Sequence, residues 1–137
     1  MWQCEHRIET SASPETIWKL FKDVPGWKAW NAGIEQISIA GTFSEGTLFT
    51  MQPPGQPAFT SRLVQVRENE LFEDETIVGD ICVVVAHRIT RIDPKRTAIT
   101  YAATVVGPDA EDVGAAITAD FPDVLKALTE LAERTEA

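Results

Sequence analysis

Four side chains in this sequence can handle protons from a single wall: His6, Asp74, His87 and Tyr101, which include its only two histidines and its only tyrosine. An imidazole changes charge near neutral pH, and a carboxylate beside it orients the ring and raises its affinity for protons. A phenol can donate a hydrogen bond to a developing oxyanion. Strand parity brings the four together. Along Ile81 to Ile89 the residues alternate, and Arg88 and Thr90 suit water, so His87 points inward with Val83 and Val85. On the next segment Ile99, Tyr101, Ala103 and Val105 form the more apolar set, which turns Tyr101 inward. A three-residue loop at Asp93 to Lys95 sets His87 opposite Tyr101. A two-residue turn at Gly79-Asp80 sets Phe72 opposite His87 and Asp74 opposite Val85. Asp74 and His87 are then diagonal neighbours, ~7–8 Å apart at the backbone. His6, on the inner side of an alternating first segment, completes the row. Such a row suits proton abstraction beside a carbonyl, with His87 as base, Asp74 positioning it and Tyr101 holding the enolate oxygen. It equally suits a purely binding role, and each residue taken alone is more often a satisfied core group.

Other polar features point nowhere. Gly41 to Gly46 lacks a phosphate-loop lysine and opens no helix. The run Glu73-Asp74-Glu75 splits between two faces of a strand, so it makes no metal site. Cys4 and Cys82 have neither metal nor redox spacing and read as small half-buried residues. The expectation is a chain that needs no metal and no cofactor. Acidic residues outnumber basic ones 21 to 12, for a net charge of -9, which repels phosphate backbones and argues against a nucleic-acid partner.

The elements that must hold this row follow from periodicity. Trp2 to Thr10 alternates as a half-buried strand. Ser13-Pro14-Glu15 starts a helix that runs to about Lys22, burying Ile17, Leu20 and Phe21. Asp23-Val24-Pro25-Gly26 stops it, and Trp27 and Trp30 fall in a short helical turn beneath the sheet. Strands are expected at Ile34 to Ala40, Thr47 to Gln52, Phe59 to Val66, Leu71 to Ile77, Ile81 to Ile92 and Thr97 to Val106. The connections are too short for parallel crossovers, so the sheet is an antiparallel meander. From Asp109 to Glu136, Val113, Ile117, Phe121, Val124, Leu125, Leu128, Leu131 and Ala132 recur at helical steps. Pro122 interrupts that stripe, and a kink or break is expected at Ala119 to Asp120. The fold class is α+β: a curved antiparallel sheet of about seven strands closed by one long C-terminal helix. A void between the two is the candidate site.

This order of elements resembles the START-like helix-grip superfamily, which includes polyketide cyclases/dehydrases, plant pathogenesis-related allergens and lipid-transfer domains. The stretches that carry the likeness are Ala12 to Trp18 after the first strand, Asp23 with Trp27 and Trp30-Asn31, Leu63 to Val66 with Phe72 to Glu75, and His87-Arg88-Ile89. It spans nearly the whole chain, so residues 1–137 read as a single domain of this type. The resemblance implies a deep pocket between sheet and terminal helix that accepts a hydrophobic small molecule. No catalytic motif of the superfamily maps onto this chain, so the roles of His6, Asp74, His87 and Tyr101 rest on strand parity.

The ligand-contacting set expected from these readings is His6, Trp30, Phe59, Phe72, Val85, Ala103, Ile117 and Phe121. Three functions compete: a binding protein for a polyketide-, lipid- or isoprenoid-like molecule, a cyclase/dehydratase, and a protein-interaction module marked by exposed Trp or Phe. The mouth of the pocket is expected between the loop after Trp30, the Pro53-Pro54-Gly55 loop and the start of the terminal helix. No apolar run reaches the ~18 residues of a membrane span, and the N-terminus lacks the apolar core of a signal peptide. A cytoplasmic monomer or homodimer is the simplest expectation.

Overall fold

The computed structural model describes residues 1–137. Strand β1 (Trp2–Thr10) leads into helix α1 (Pro14–Lys22) and a 3-10 helix (Val24–Ala29). Six strands follow: β2 (Gln36–Ile39), β3 (Leu48–Gln52), β4 (Phe59–Arg67), β5 (Leu71–Val78), β6 (Ile81–Asp93) and β7 (Arg96–Val106). Helices α2 (Ala110–Thr118) and α3 (Phe121–Glu136) end the chain. All seven strands form one sheet in the order β1-β7-β6-β5-β4-β3-β2, and every neighbouring pair is antiparallel.

Local chemistry sets the boundaries. Ser13 Oγ accepts the Thr16 backbone N–H at 3.3 Å, and Pro14 occupies the first turn of α1, where a missing N–H leaves nothing unsatisfied. The first strand after the helices is shorter than its sequence suggests. Ile34 N–H bonds to Asn31 O at 3.3 Å, back towards the 3-10 helix, so regular pairing with β3 begins only at Gln36. The expected break in the terminal helix is present, and Pro122 explains it: the proline lies in the first turn of α3 rather than inside a continuous helix. The single long helix is therefore two helices joined at Ala119-Asp120.

The register of the central strands matches the parity argument. Gly79, at φ 58°, makes the tight turn that pairs Val78 with Ile81, Phe72 with His87 and Asp74 with Val85. The β6–β7 connection preserves the expected pairing by a different route. Asp93 pairs with Arg96, and Ile92 is the extra residue of a bulge, so His87 still faces Tyr101. A second bulge, at Val64 of β4, lies where that strand passes Asp74 and Glu73.

One end of α3 is fixed to the sheet. Thr10 Oγ1 donates to Glu133 at 2.6 Å, and Ser13 N–H donates to Glu136 at 2.7 Å. At that end Ile17, Phe21, Ile99, Leu125 and Leu128 are buried in a closed core. At the other end, α2 crosses β1 and β7 and lies so close to the edge that Gly114 sits against the Trp2 indole, with no room for a side chain. The space over β3 to β6 is left unfilled.

Candidate functional site

The unfilled space is a cavity of about 830 Å³, within the range of small-molecule sites. Its floor is the inward row of β5 (Phe72, Asp74, Thr76, Val78) and β6 (Ile81, Val83, Val85, His87). Phe72, His87 and Tyr101 close the inner end, with Phe21 behind them. Val113, Ala116, Ile117, Asp120, Phe121 and Val124 form the helical side, and the loop from Pro53 to Ala58 faces them. Asn31 and Gly33 also line it, so the three segments expected around the mouth all border the cavity.

Aromatic packing makes the inner end rigid. The Phe72 and His87 rings stack at 3.9 Å and 6°, and Tyr101 meets His87 edge-on at 4.6 Å. His87 Nδ1 lies 3.2 Å from the Phe72 carbonyl. A carbonyl only accepts, so Nδ1 carries the proton and Nε2 keeps its lone pair. That lone pair is 4.0 Å from Asp74 Oδ2, close but beyond hydrogen-bond reach. The diagonal pair is real, yet its electrostatics reverse the expectation. Burial pushes Asp74 up to about 7, with Glu73 adding to the rise. Burial also pulls His87 down to about 3, against the opposing pull of the Phe72 and Val85 carbonyls. Desolvation outweighs mutual attraction because both groups sit in an apolar wall. At neutral pH the imidazole is uncharged, and Asp74 is the group that exchanges a proton.

Tyr101 is held neutral by burial and by the fields of Asp74 and Asp120, and its hydroxyl has no hydrogen-bond partner. Trp30 Nε1 is likewise unpartnered, whereas Trp27 Nε1 donates to the Phe21 carbonyl at 2.8 Å. A buried hydroxyl without a partner costs about 1–3 kcal/mol. Tyr101→Phe is therefore expected to raise stability by about 1 kcal/mol in urea denaturation, and a loss of stability would show that the hydroxyl is bonded in solution.

Of the residues expected at the site, Asp74, His87, Tyr101, Trp30, Phe59, Phe72, Val85, Ile117 and Phe121 all line the cavity. His6 and Ala103 do not. His6 pairs with Tyr101 across the strands, but the Phe121 ring packs against both, 6.1 Å from His6 and 5.4 Å from Tyr101. The His6 Nε2 instead faces Cys4 Sγ at 3.4 Å. Ala103 is buried on β7, the strand that α2 covers. Besides Asn31 and Gln56 on the loops expected around the mouth, three polar wall residues were not anticipated: Asp120, and Ser61 with Thr76, whose hydroxyls bond to each other. Parity with Asp74 marks Thr76, and helical spacing with Val113, Ile117 and Val124 marks Asp120.

No three His, Cys, Asp or Glu side chains converge on a metal-sized site. No helix is long and apolar enough to cross a membrane.

A gripped helix pair, a meander and an internal cavity are features of one superfamily, and the sequence agrees. Residues 1–133 match the family model described as polyketide cyclase / dehydrase and lipid transport. The chain belongs to that family. Its fold is the START-like helix-grip fold, as in several solved structures. A norcoclaurine synthase from Thalictrum flavum, solved as a point mutant with a transition-state analogue, superposes with a TM-score of 0.78 at 16% identity, covering 99% of this chain and 96% of that one. A START superfamily protein from Mycobacterium smegmatis gives 0.77 at 19% identity, covering 97% and 98%. The di-domain ARO/CYC BexL from the BE-7585A biosynthetic pathway gives 0.79 at 12% identity, covering 97% of this chain but 47% of that one. At such identities the likeness is one of fold. No curated protein sequence matches the chain.

Proposed function

We propose that this family member binds a small, largely apolar, oxygen-bearing molecule in the cavity between its sheet and its terminal helices. The observation that carries the reading is the 830 Å³ cavity itself, apolar along most of its length and polar around Asp74, His87 and Tyr101, at the Ser61–Thr76 pair and at the mouth. Apolar walls supply affinity and a few fixed polar groups supply orientation. The family description, which covers both cyclases and lipid transport, supports either a carrier or an enzyme.

One observation favours an enzyme as the second reading. A carboxyl held near 7 inside a cavity is matched to proton transfer at neutral pH. In that reading Asp74 abstracts a proton beside a ligand carbonyl, Tyr101 donates to the enolate oxygen, and the neutral His87 holds the guest through its Nε2 lone pair. Two of the neighbours in fold, a synthase and an ARO/CYC, are compatible with such a role. The interaction-module reading loses its mark: the exposed large apolar residues include Leu48, Ile77, Val78 and Val106 but no Trp or Phe.

The test is thermal melting against a panel of aromatic polyketides, isoprenoids and lipids. A ligand at a hundred times its Kd is expected to add about 2.7 kcal/mol. No shift from any member overturns the binding reading. For a ligand that does bind, turnover that vanishes in Asp74→Asn while binding survives makes the protein an enzyme; binding without turnover makes it a carrier.

A further inference from the structure

We infer that the cavity sorts its guests by charge, admitting an uncharged molecule with a carbonyl or ether oxygen and rejecting carboxylates and phosphates, with Asp120 at the mouth as the specificity-determining residue. This rests on the binding reading above and names its substrate class.

The wall contains no lysine or arginine; its ionisable groups are Asp74, His87, Tyr101 and Asp120 alone. His87 is neutral at physiological pH. An anionic head entering this space meets two carboxyls and no counter-charge, in a protein whose net charge is already -9. A fatty acid or phosphorylated isoprenoid finds no cation to neutralise its head.

The placement of Asp120 gives it the controlling position. It stands at the junction of α2 and α3, in the N-cap position of α3, yet its side chain makes no capping bond. The carboxylate turns across the mouth instead. A methyl group placed on Gly33 would be 3.1 Å from both Asn31 Oδ1 and Asp120 Oδ2, so the acid reaches from the helices to the opposite loop.

A second, independent feature selects for oxygen rather than for a cation. Tyr101 Oη and Trp30 Nε1 are donors without partners, on residues only 3% and 5% exposed. Their rings flank Phe21, at centroid distances of 6.4 and 6.2 Å. An indole N–H can only donate, so an ammonium head cannot satisfy it, whereas a carbonyl or ether oxygen can. The two acids would tolerate a cation; the Trp30 N–H requires an acceptor, and the Tyr101 hydroxyl can donate to one as well.

Three probes with one bicyclic body separate these demands: 2-acetylnaphthalene, 2-naphthoate and 2-naphthylmethylammonium, titrated calorimetrically into the full chain at pH 8. The ketone is expected to bind at least tenfold more tightly than the carboxylate. In Asp120→Asn, and in Asp120→Ser as a second variant, the gap is expected to fall to about threefold through tighter naphthoate binding. Tyr101→Phe is expected to weaken the ketone several-fold. Naphthoate binding as tightly as the ketone, a gap unchanged in both Asp120 variants, or the ammonium binding tightest would each overturn the inference while leaving the cavity a binding site. Failure of all three probes to bind would overturn the inference and count against the binding reading as well.

Discussion

Asp74→Asn and His87→Gln are expected to tilt the pH dependence of stability in opposite directions. Asp74 rises on folding from an ordinary 3.8 to about 7. Its contribution is therefore fully present below about pH 4 and is lost as the pH climbs through 7. His87 falls from 6.5 to about 3. Its contribution is fully present above 6.5 and is lost as the pH drops towards 3. Between about pH 4 and 6.5 the two slopes cancel in the wild type. The unfolded chain keeps one proton on the imidazole, the folded chain keeps one on the carboxyl, and the number bound is the same. Asn at position 74 leaves the His87 slope alone, so stability rises with pH by up to about 1.4 kcal/mol per unit. Gln at position 87 leaves the Asp74 slope, and stability falls with pH by up to the same amount. Urea midpoints at pH 4.5 and 6.5 read this directly, and parallel or flat profiles in both variants would sink it. Nitrogen NMR of the wild type adds the proton's address: a neutral ring protonated at Nδ1 is expected at pH 5, and an imidazolium there would contradict the assignment.

That reversal shows where sequence reasoning stops. Which residues meet across a strand pair was legible, because Gly79-Asp80 and the β6–β7 loop fix the register and register fixes the face. Pairing survived even the bulge at Ile92, since an extra residue in the strand replaced one in the loop. What the two groups do to each other was not legible. It depends on how dry the wall is, and dryness comes from Phe21, Phe72 and Phe121 converging from distant parts of the chain. The same gap explains His6 and Ala103. Alternation names the inner face of a strand but not the helix that covers each stretch of it. Asp120 was hidden for a third reason. Seven residues after Val113 and four before Val124, it lies on the same helical face as the apolar stripe, but a lone acid at an expected helix break carries no signal of its own.

Phe72→Ala is expected to cost about 3–5 kcal/mol, the range for removing a buried phenyl ring. Few residues bind as many parts of this fold together. The ring is 1% exposed, stacks on His87 at 3.9 Å and on Trp27 at 5.7 Å, and meets Phe21 and Phe43 edge-on at 5.0 and 5.2 Å. It thus joins β5, β6, α1, the 3-10 helix and the loop before β3. Its neighbours sit on strands and helices fixed elsewhere, so they cannot collapse into the gap, and the void opens into the cavity. Domains of this class are stable by only about 5–15 kcal/mol, so the variant should melt some 10–20 °C lower. Water reaching His87 through the gap should also relieve its desolvation and move its pKa back up towards 6.5. Phe59→Ala is the matched control, since Phe59 lines the same cavity but is only half-buried. Its loss should stay near 1 kcal/mol, because the site can take up water without stranding neighbours. Equal losses in the two variants, or a loss below about 1 kcal/mol for Phe72→Ala, would mean that the inner end of the cavity is soft rather than packed. A soft inner end could not hold Asp74, His87 and Tyr101 in one fixed arrangement, and orientation of a guest by those three groups depends on that rigidity.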